Sequence, residues 1–563
     1  MPILSVIVFT PLFAAVVLML IPAEQHVALR RGAFIFSLVP FALSLMVLAA
    51  FDPSNTAMQF TAKAAWIPRF GIFYSVGIDG LSLFLVLLTT FLMPIVILAS
   101  WGDVHKRIRE YMIFMMVLET AMLGAFVALD LFLFYVFWEL MLIPMYFLIG
   151  IWGGERRVYA AIKMVIYTMA GSLLMLVAIL YLVSLHTQQY GQPSFDLLRL
   201  YDFSVPLNAQ RWLFAAFALA FAIKVPMFPM HTWLPDAHTE APTGGSVILA
   251  GVLLKMGTYG FLRFAIPLFP LAAREALPII AVIAAIGIVY GALVCMIQPD
   301  LKRLVAYSSV SHLGFVMLGM AALNTQGIEG SIYQMLNHGL STGALFLAVG
   351  VIYERRHTRL IREFGGLWKQ LPVYAAIFMI VMLSSVGLPG LNGFVGEFLI
   401  LLGAFEAHRV AAIVATSGVL LGAVYMLWMY QRVMFGPLTN PKNQQLKDLS
   451  TREVLVFVPI LVMLFVMGLY PTPFLSRMEP SVQAYIARMQ QKMAAGEPAA
   501  RGVQLSAVSP RPEIVEFQQP SLDTAPERMG LTRDERITTA AINLYPFAPS
   551  SRPLLAAYRG VPR

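Results

Sequence analysis

A charge lies inside each of the apolar stretches DLFLFYVFWELMLIPMYFLIG (130–150), LFAAFALAFAIKVPMFPM (213–230) and SVILAGVLLKMGTYGFL (246–262). The charged residues are Glu139, Lys224 and Lys255. An ionisable side chain at the centre of a bilayer costs at least about 2.5–3.5 kcal/mol on insertion scales, so such residues are rare and mark functional pathways. These stretches therefore indicate an ion or proton path through a membrane.

The composition requires a membrane environment. The chain has 563 residues, of which 59% are hydrophobic and 12% are charged, more apolar surface than a soluble core can bury. The single cysteine, Cys295, excludes an iron–sulfur cluster, a four-cysteine zinc site and an intrachain disulfide. The sequence also lacks the glycine-rich motif G-x-x-x-x-G-K-[ST], which argues against an ATP-driven pump.

Apolar runs of about 20 residues predict an all-α polytopic membrane protein with about fourteen transmembrane helices. Residues 1–22 lack a basic region and a small-residue cleavage site, so we expect a retained first span and not a signal peptide. The predicted helix centres are Val16, Leu43, Leu88, Ala121, Met141, Leu174, Ala218, Leu254, Ile286, Phe315, Leu345, Leu388, Gly422 and Leu461.

The positions of lysine and arginine predict the orientation. Loops on the N-terminal side of the membrane hold seven of these residues, and the opposite loops hold nineteen. Because cytoplasmic loops carry the excess, both termini are predicted to lie outside the cytoplasm. The net charge of +9 then reflects topology and lipid headgroups, not nucleic acid. The seven are Lys63, Arg69, Arg199, Arg211, Arg263, Arg274 and Arg409.

Two of the predicted helices are interrupted. Pro226 and Pro229 follow Lys224, and the stretch SSVGLPGLNGFVGEFLILLGAF (384–405) places Gly and Pro before Glu397. Proline and glycine at these points predict unwound backbone beside a hydrated cavity. Two such segments are typical of transporters built from repeats, so two inverted repeats are expected, each with a broken helix. The predicted parts are 1–110 (N-terminal helices), 111–270 (first repeat), 271–435 (second repeat), 436–470 (last span) and 471–563 (tail).

The tail after residue 470 has a different character. Residues 471–563 contain twelve prolines, which argue against a long continuous helix. Only 481–495 is predicted as a short amphipathic helix, and the remainder is expected to be extended or disordered until it meets a partner. The residues that share one face of that helix are Val482, Tyr485, Ile486 and Met489.

The ionisable residues inside predicted spans suggest a mechanism. We expect Glu139 and Lys224 to form an ion pair, because either alone would be an uncompensated charge. A proton gained or lost at Lys255 would change how strongly that pair holds. Histidine exchanges protons near neutral pH, so two histidines could pass protons laterally to a terminal glutamate. The full set is Glu119, Glu139, Lys224, Lys255, His312, His338 and Glu397.

Each of these residues has a structural alternative. The Glu139–Lys224 pair could be a static bridge between helices, and each histidine could make a simple interhelical hydrogen bond. For Lys255 the alternative is a side chain that snorkels to the interface, which its near-central position disfavours. For Glu119, an interhelical hydrogen bond is the favoured interpretation. Five other charged residues are predicted near the membrane surfaces, where charge is tolerated: Asp79, Asp130, Lys163, Asp236 and Glu240.

Several motifs resemble the antiporter-like subunits of the proton-pumping NADH:quinone oxidoreductase, respiratory complex I. The resemblance covers residues 1–470. Glu397, where L-type and N-type members are expected to carry lysine, favours the M-type, the counterpart of mitochondrial chain 4. The matching motifs are FYVFWELMLIPMYFLIGIWGG (134–154), AAIKMVIYTMAGSLLML (160–176), FAIKVPMFPMHTWLPDAHTEAPTGGSVILAGVLLKMGTYG (221–260), SSVSHLGFVMLG (308–319) and GIDGLSLFLVLLTTFLMPI (77–95).

The resemblance implies a translocase subunit in a bacterial inner membrane. It implies a Glu139–Lys224 pair, a relay through Lys255 and the two histidines, and a terminal Glu397. It further implies no cofactor or metal on this chain, with NADH, FMN, iron–sulfur clusters and quinone bound by partner subunits. The expected partners are other membrane-arm subunits, especially neighbouring antiporter-like ones, together with lipid and protons. The resemblance does not account for the tail.

Other functions stay open at this point. The first alternative is a subunit of a multisubunit Na⁺/H⁺ antiporter, which shares the ion path. A hydrogenase membrane subunit is a further alternative. A structural spacer that pumps nothing is disfavoured, because it has no reason to bear the insertion cost of the three buried charges.

Overall fold

The computed structural model describes residues 2–495, so the predicted extended part of the tail lies outside the described residues. Helices dominate because backbone N–H and C=O groups in a hydrocarbon environment must bond within their own segment. Twelve helices in the described part are long and apolar enough to cross a membrane. The all-α membrane fold is thus confirmed, while the count of about fourteen spans stays a prediction.

The chain begins with two helices, a small hairpin and a third helix. The hairpin pairs two antiparallel strands, Gln59 being opposite Ile78 and Ile67 opposite Ile72. The prediction of an all-helical chain missed this element. The bounds are α1 (Ile3–Leu20), α2 (His26–Ala50), β1 (Gln59–Ile67), β2 (Ile72–Ile78) and α3 (Leu83–Asp103).

The next part of the chain corresponds to the first predicted repeat. Its last long segment, Thr243–Leu268, has every residue of its most apolar window buried and contains two π-helical turns, Leu249–Leu253 and Phe261–Ala265. The bounds are α4 (Ile108–Val127), α5 (Leu131–Leu140), α6 (Leu142–Trp152), α7 (Arg157–Tyr190), α8 (Leu197–Asp202), α9 (Leu207–Lys224), α10 (Trp233–Glu240), α11 (Thr243–Ile248), α12 (Leu254–Gly260) and α13 (Ile266–Leu268).

The remaining helices follow with short connections. Helix α16 is the most enclosed of them, with 94% of its most apolar window buried. The bounds are α14 (Pro270–Met296), α15 (Leu301–Ala322), α16 (Thr325–Arg356), α17 (Leu367–Gln370), α18 (Pro372–Val386), α19 (Asn392–Ala407), α20 (Arg409–Met434), α21 (Thr451–Leu469) and α22 (Thr472–Ala495). Single 3₁₀ turns occupy Pro68–Phe70, Met230–Thr232, Ile361–Glu363 and Pro441–Asn443.

Both predicted helix breaks are present. Helix α9 ends at Lys224, and helical structure resumes at Met230 after the two prolines. Helix α18 ends at Val386, where Gly387 adopts a left-handed conformation with φ of 84°, and α19 begins at Asn392. The centre predicted at Leu388 therefore falls between two short helices.

Helix α22 is longer than predicted. It begins at Thr472, nine residues before the predicted start, and continues through Pro480. The prediction that prolines exclude a long helix here is wrong, since one proline removes only one backbone donor and the packed apolar face outweighs that loss. The four residues predicted to share a face are buried: Val482, Tyr485, Ile486 and Met489.

The predicted loop location is wrong for one arginine. The sequence predicts Arg263 in a loop, but it lies in the π-helical turn of the buried segment and is 3% exposed. Its guanidinium group donates two hydrogen bonds to Asp79, one of them over 2.8 Å. The reason is charge compensation, because a bidentate carboxylate partner lets an arginine occupy a position that sequence alone assigns to a loop.

Candidate functional site

Lys255 occupies the centre of the buried segment between the two π-helical turns. Its side chain is fully buried, and its ammonium group donates to the backbone carbonyl of Ala250. The same nitrogen lies 2.6 Å from Nδ1 of His338 on α16. Lys255 and His338 are thus in direct hydrogen-bond contact, as the predicted central relay requires.

A second contact continues this chain of ionisable groups. The rings of His338 and His312 have centroids 6.0 Å apart. His312 Nδ1 lies 3.0 Å from Oε1 of Glu397. The structure therefore brings four of the seven ionisable residues of the predicted set into one buried row, in the order Lys255, His338, His312 and Glu397.

Polar side chains surround this row. A small cavity of about 10 Å³ is lined by both histidines and by uncharged polar residues, and this volume is close to the minimum that a single water needs. Ser385 Oγ lies 3.3 Å from His312 Nε2. The polar lining residues besides the histidines are Gln334, Asn337, Ser341, Thr342, Ser384 and Ser385.

The predicted Glu139–Lys224 ion pair is absent from the described structure. The Lys224 ammonium group instead lies 5.3 Å from the ring centre of Trp138. Glu139 follows Trp138 on the same helix, and successive helical side chains point about 100° apart. The Glu139 carboxylate therefore points elsewhere, although it still acts electrostatically on Lys224.

The Glu139 side chain lines a groove on the molecular surface. The groove has a volume of about 660 Å³ and is lined mainly by apolar side chains of α5, α6 and α7. One carboxylate oxygen, Oε1, is buried and has no hydrogen-bond partner among the residues that the structure describes. The Tyr135 hydroxyl group lies beside the carboxylate.

Glu119 does not behave as predicted. It is fully buried in α4, and neither carboxyl oxygen has a hydrogen-bond partner among the described residues. The favoured interpretation as an interhelical hydrogen bond is therefore wrong. Within residues 2–495, no donor lies within hydrogen-bond distance of this carboxyl group, which a pattern of residue types does not reveal.

The indole group of Trp233 stabilises the first helix break, which follows Lys224. A helix end leaves backbone carbonyls without partners, and Trp233 Nε1 donates to the carbonyl of Ile223 over 2.8 Å. Asp236, in the next helix, accepts from Lys163 over 2.6 Å. The segment after the break is thereby fixed to α9 and to α7.

Two buried residues near the break were missed by sequence reasoning. His238 is fully buried, neither ring nitrogen has a hydrogen-bond partner in the described part of the chain, and its ring stacks on Phe346 at 4.5 Å. Lys302 is also buried and donates to the carbonyl of Ala241. His238 feels the charges of both Lys302 and Lys255. His238 is the last residue of the motif HTWLPDAH (231–238), and this place in the motif is the sequence signal that could have identified it.

Asp130 caps the helix that carries Glu139. Its side chain accepts from the backbone N–H groups of Phe132 and Leu133 at the start of α5, and from that of Phe73 in β2. Burial raises the pKa of the Asp130 carboxyl, against the lowering effect of these three donors. The helix start and the hairpin are thus tied to one buried carboxyl group.

Comparisons with known proteins agree with this geometry. Residues 128–467 match the family described as NADH:quinone oxidoreductase/Mrp antiporter, TM. The chain is 49% identical over 490 residues to NADH-quinone oxidoreductase subunit M of Rhodobacter capsulatus, covering 85% of this chain and 95% of that relative. It is 46% identical over 480 residues to NADH-ubiquinone oxidoreductase chain 4 of Arabidopsis thaliana, covering 85% and 96%.

A solved structure is similar over nearly its whole length. It is a chain of respiratory complex I from Thermus thermophilus with bound NADH, with a TM-score of 0.79 and 34% identity. The match covers 86% of this chain and 99% of that chain. The chain therefore belongs to the NADH:quinone oxidoreductase/Mrp antiporter family, among the antiporter-like membrane subunits of respiratory complex I.

Proposed function

We propose that this chain moves protons across the membrane as an M-type membrane-arm subunit of NADH:quinone oxidoreductase. The observation that carries the proposal is the buried row from Lys255 through His338 and His312 to Glu397, in which two steps are hydrogen-bond contacts and the step between the histidines is a ring contact. Each member is a group that accepts and releases protons. The row is enclosed by protein, so protons follow it and do not leak along the lipid boundary.

Lys255 is the central group of the proposed relay. Its ammonium proton faces Nδ1 of His338 across 2.6 Å, a distance that suits direct transfer. From His338, transfer to His312 crosses the small polar cavity, which has space for about one water. His312 then delivers the proton to Glu397, its hydrogen-bonded neighbour.

Lys224 couples the first break to this row. Gly257, two residues after Lys255, packs so tightly against α9 that an added Cβ would lie 2.8 Å from the Phe221 carbonyl oxygen. Lys224 ends that helix, so its charge lies on the element directly packed against the Lys255 helix. Closing the Glu139–Lys224 pair would weaken the repulsion between the lysines and favour a proton on Lys255.

Electron transfer belongs to other subunits in this proposal. NADH, FMN, iron–sulfur clusters and quinone are bound by partner chains, and the coupling reaches this chain through conformation and charge. The proposed location is a bacterial inner membrane, with both termini outside the cytoplasm. The excess of lysine and arginine in the opposite loops supports that orientation.

The sodium antiporter alternative has less support. The family description includes Mrp antiporters, but the similar relatives are named as complex I subunit M or chain 4. The two functions differ in the driving force. NADH-driven proton uptake by inverted vesicles supports the proposal, whereas sodium-gradient-driven proton movement without NADH supports the antiporter.

The Lys224→Ala variant tests the proposal. NADH:quinone activity and proton uptake are measured side by side on membranes, with assembly followed on a native gel. We expect an assembled complex in which both activities fall together, by roughly tenfold or more. Lys106→Ala is the matched control, because Lys106 is exposed and its side chain has no charged partner among the described residues. Full electron transfer and pumping in Lys224→Ala would contradict the proposed role of the first break.

A further inference from the structure

The backbone carbonyl of Asn392 fixes the orientation of a buried amide. This carbonyl, at the start of α19, accepts a hydrogen bond from Asn337 Nδ2 over 2.8 Å. A carbonyl oxygen has no hydrogen to donate. The side of the Asn337 amide that faces Asn392 must therefore be its NH₂ group.

The orientation of the Asn337 amide fixes the orientation of the Gln334 amide. The same Nδ2 donates to Oε1 of Gln334 over 3.0 Å, one helical turn earlier on α16. Gln334 then has only its own NH₂ group left to turn toward Glu397, and Nε2 donates to Oε1 of that carboxylate over 3.0 Å. Two linked amides thus force a donor, and not an oxygen, onto Glu397.

Close packing holds the amides in this arrangement. Gly396 lies against them, since an added Cβ there would be 2.6 Å from Gln334 Oε1 and 2.7 Å from Asn337 Nδ2. The Asn392 side chain is held in turn, because its Oδ1 accepts from Ser384 Oγ over 2.5 Å. Rotation of either amide would break the hydrogen bonds that join α16 to α19.

The surroundings of Glu397 are poor in free oxygen ligands. Oε1 receives two nitrogens, those of Gln334 and His312. Oε2 faces Gly387, where an added Cβ would lie 3.1 Å from it. The hydroxyl group of Ser385 is already engaged with His312 Nε2 over 3.3 Å.

We infer that Gln334, held by Asn337, makes Glu397 selective for protons over sodium. Hard cations are bound in proteins by several oxygen ligands, which include carboxylates and unwound backbone carbonyls. Here two N–H groups, whose hydrogens carry the same sign of charge as a cation, occupy Oε1 of Glu397, so that only Oε2 stays open to a cation. A proton needs one lone pair only, so it is admitted. The inference rests on the proposed role of Glu397 and adds its ion selectivity.

The test replaces the donor by an acceptor. Gln334→Glu places a second carboxyl oxygen beside Glu397 and removes the N–H group. NADH-driven proton pumping and ²²Na⁺ uptake are measured on inverted vesicles in sodium chloride and in choline chloride. We expect sodium to reduce proton pumping about fivefold or more in this variant, with ²²Na⁺ uptake above the parent level, while the parent changes less than about twofold.

Two further variants separate selectivity from general damage. Gln334→Leu removes the donor without adding an oxygen, so pumping should fall without sodium sensitivity. Asn337→Leu frees the Gln334 amide to rotate and should give the sodium effect in weaker form, even where Gln334→Glu does not assemble. An assembled Gln334→Glu complex whose pumping is indifferent to sodium overturns the inference. Normal pumping in Glu397→Gln would instead overturn the proposed role of Glu397 itself.

Discussion

At the scale of single residues, burial gives each polar group an unusual weight. Lys255 is the clearest case, since it is fully enclosed and its polar contacts are one carbonyl and one imidazole. An exposed lysine exchanges such partners with water at little cost, whereas a buried one depends on them. Substitutions in this row therefore report on proton transfer directly.

Lys255→Arg separates charge from proton exchange. Arginine keeps the positive charge but does not release its proton in proteins. We therefore expect an assembled complex that has lost at least about 90% of NADH-driven proton uptake, in keeping with the weight of a positioned proton donor. Fluorescence quenching in inverted vesicles measures the uptake, and Lys106→Arg serves as the control. Normal pumping by Lys255→Arg would show that Lys255 supplies only a fixed charge.

Trp233→Phe tests the indole that holds the first break. The variant keeps an aromatic ring but leaves the buried carbonyl of Ile223 without its donor. We expect a loss of about 1–3 kcal/mol in stability, the usual cost of a buried unsatisfied polar group. Thermal denaturation of the assembled complex, compared with the parent, measures the loss. An unchanged melting temperature would mean that water or another group replaces the indole.

At the scale of elements, the breaks were readable from sequence but the partners of the side chains were not. Proline and glycine beside Lys224 and Glu397 predicted where helices α9 and α18 end. Charge compensation predicted a Glu139–Lys224 pair, yet pairing depends on which way each helix is turned, and sequence does not give that rotation. The sequence pattern did not identify the amides of Gln334 and Asn337, because neutral polar residues barely change the hydropathy of a helix.

Gly257→Ala tests the contact between the Lys255 helix and the first break. The added Cβ would lie 2.8 Å from both the Phe221 carbonyl oxygen and the Val225 nitrogen, and backbone atoms yield little. We expect a loss of about 1–3 kcal/mol from overpacking, together with reduced pumping in the complex that assembles. Gly422→Ala is the matched control, because an added Cβ there meets no atom within 4 Å. Equal behaviour of the two variants would contradict a tight contact at Gly257.

At the scale of the whole molecule, the surface is as informative as the core. Helices α2, α7 and α20 bury only 28%, 39% and 39% of their most apolar windows. Their exposed faces carry large apolar side chains, which suit lipid or neighbouring membrane subunits and not water. The hydropathy pattern predicted that these segments are helical spans, because lipid exposure needs only apolar residues and no particular partner.

Labelling of introduced cysteines tests the proposed orientation of the chain in the membrane. Cys295 is the single cysteine and is buried, so a Cys295→Ser background gives little labelling of its own. In that background, a membrane-impermeant maleimide should label Asn55→Cys in spheroplasts and Glu155→Cys in inverted vesicles. Both positions are exposed and lie on opposite predicted sides. The reverse pattern would place both termini in the cytoplasm.

The two π-helical turns around Lys255 have a mechanical consequence. A π turn holds one extra residue, much as a dislocation in a crystal holds one extra half-plane of atoms. A dislocation lets a solid slip one row at a time, so that whole planes never have to break at once. If the extra residue moved one position along this segment, the side chains it passed would turn by about 100° while the rest of the helix stayed bonded. Lys255, placed between two such defects, is therefore held on a segment that could reorient without unfolding.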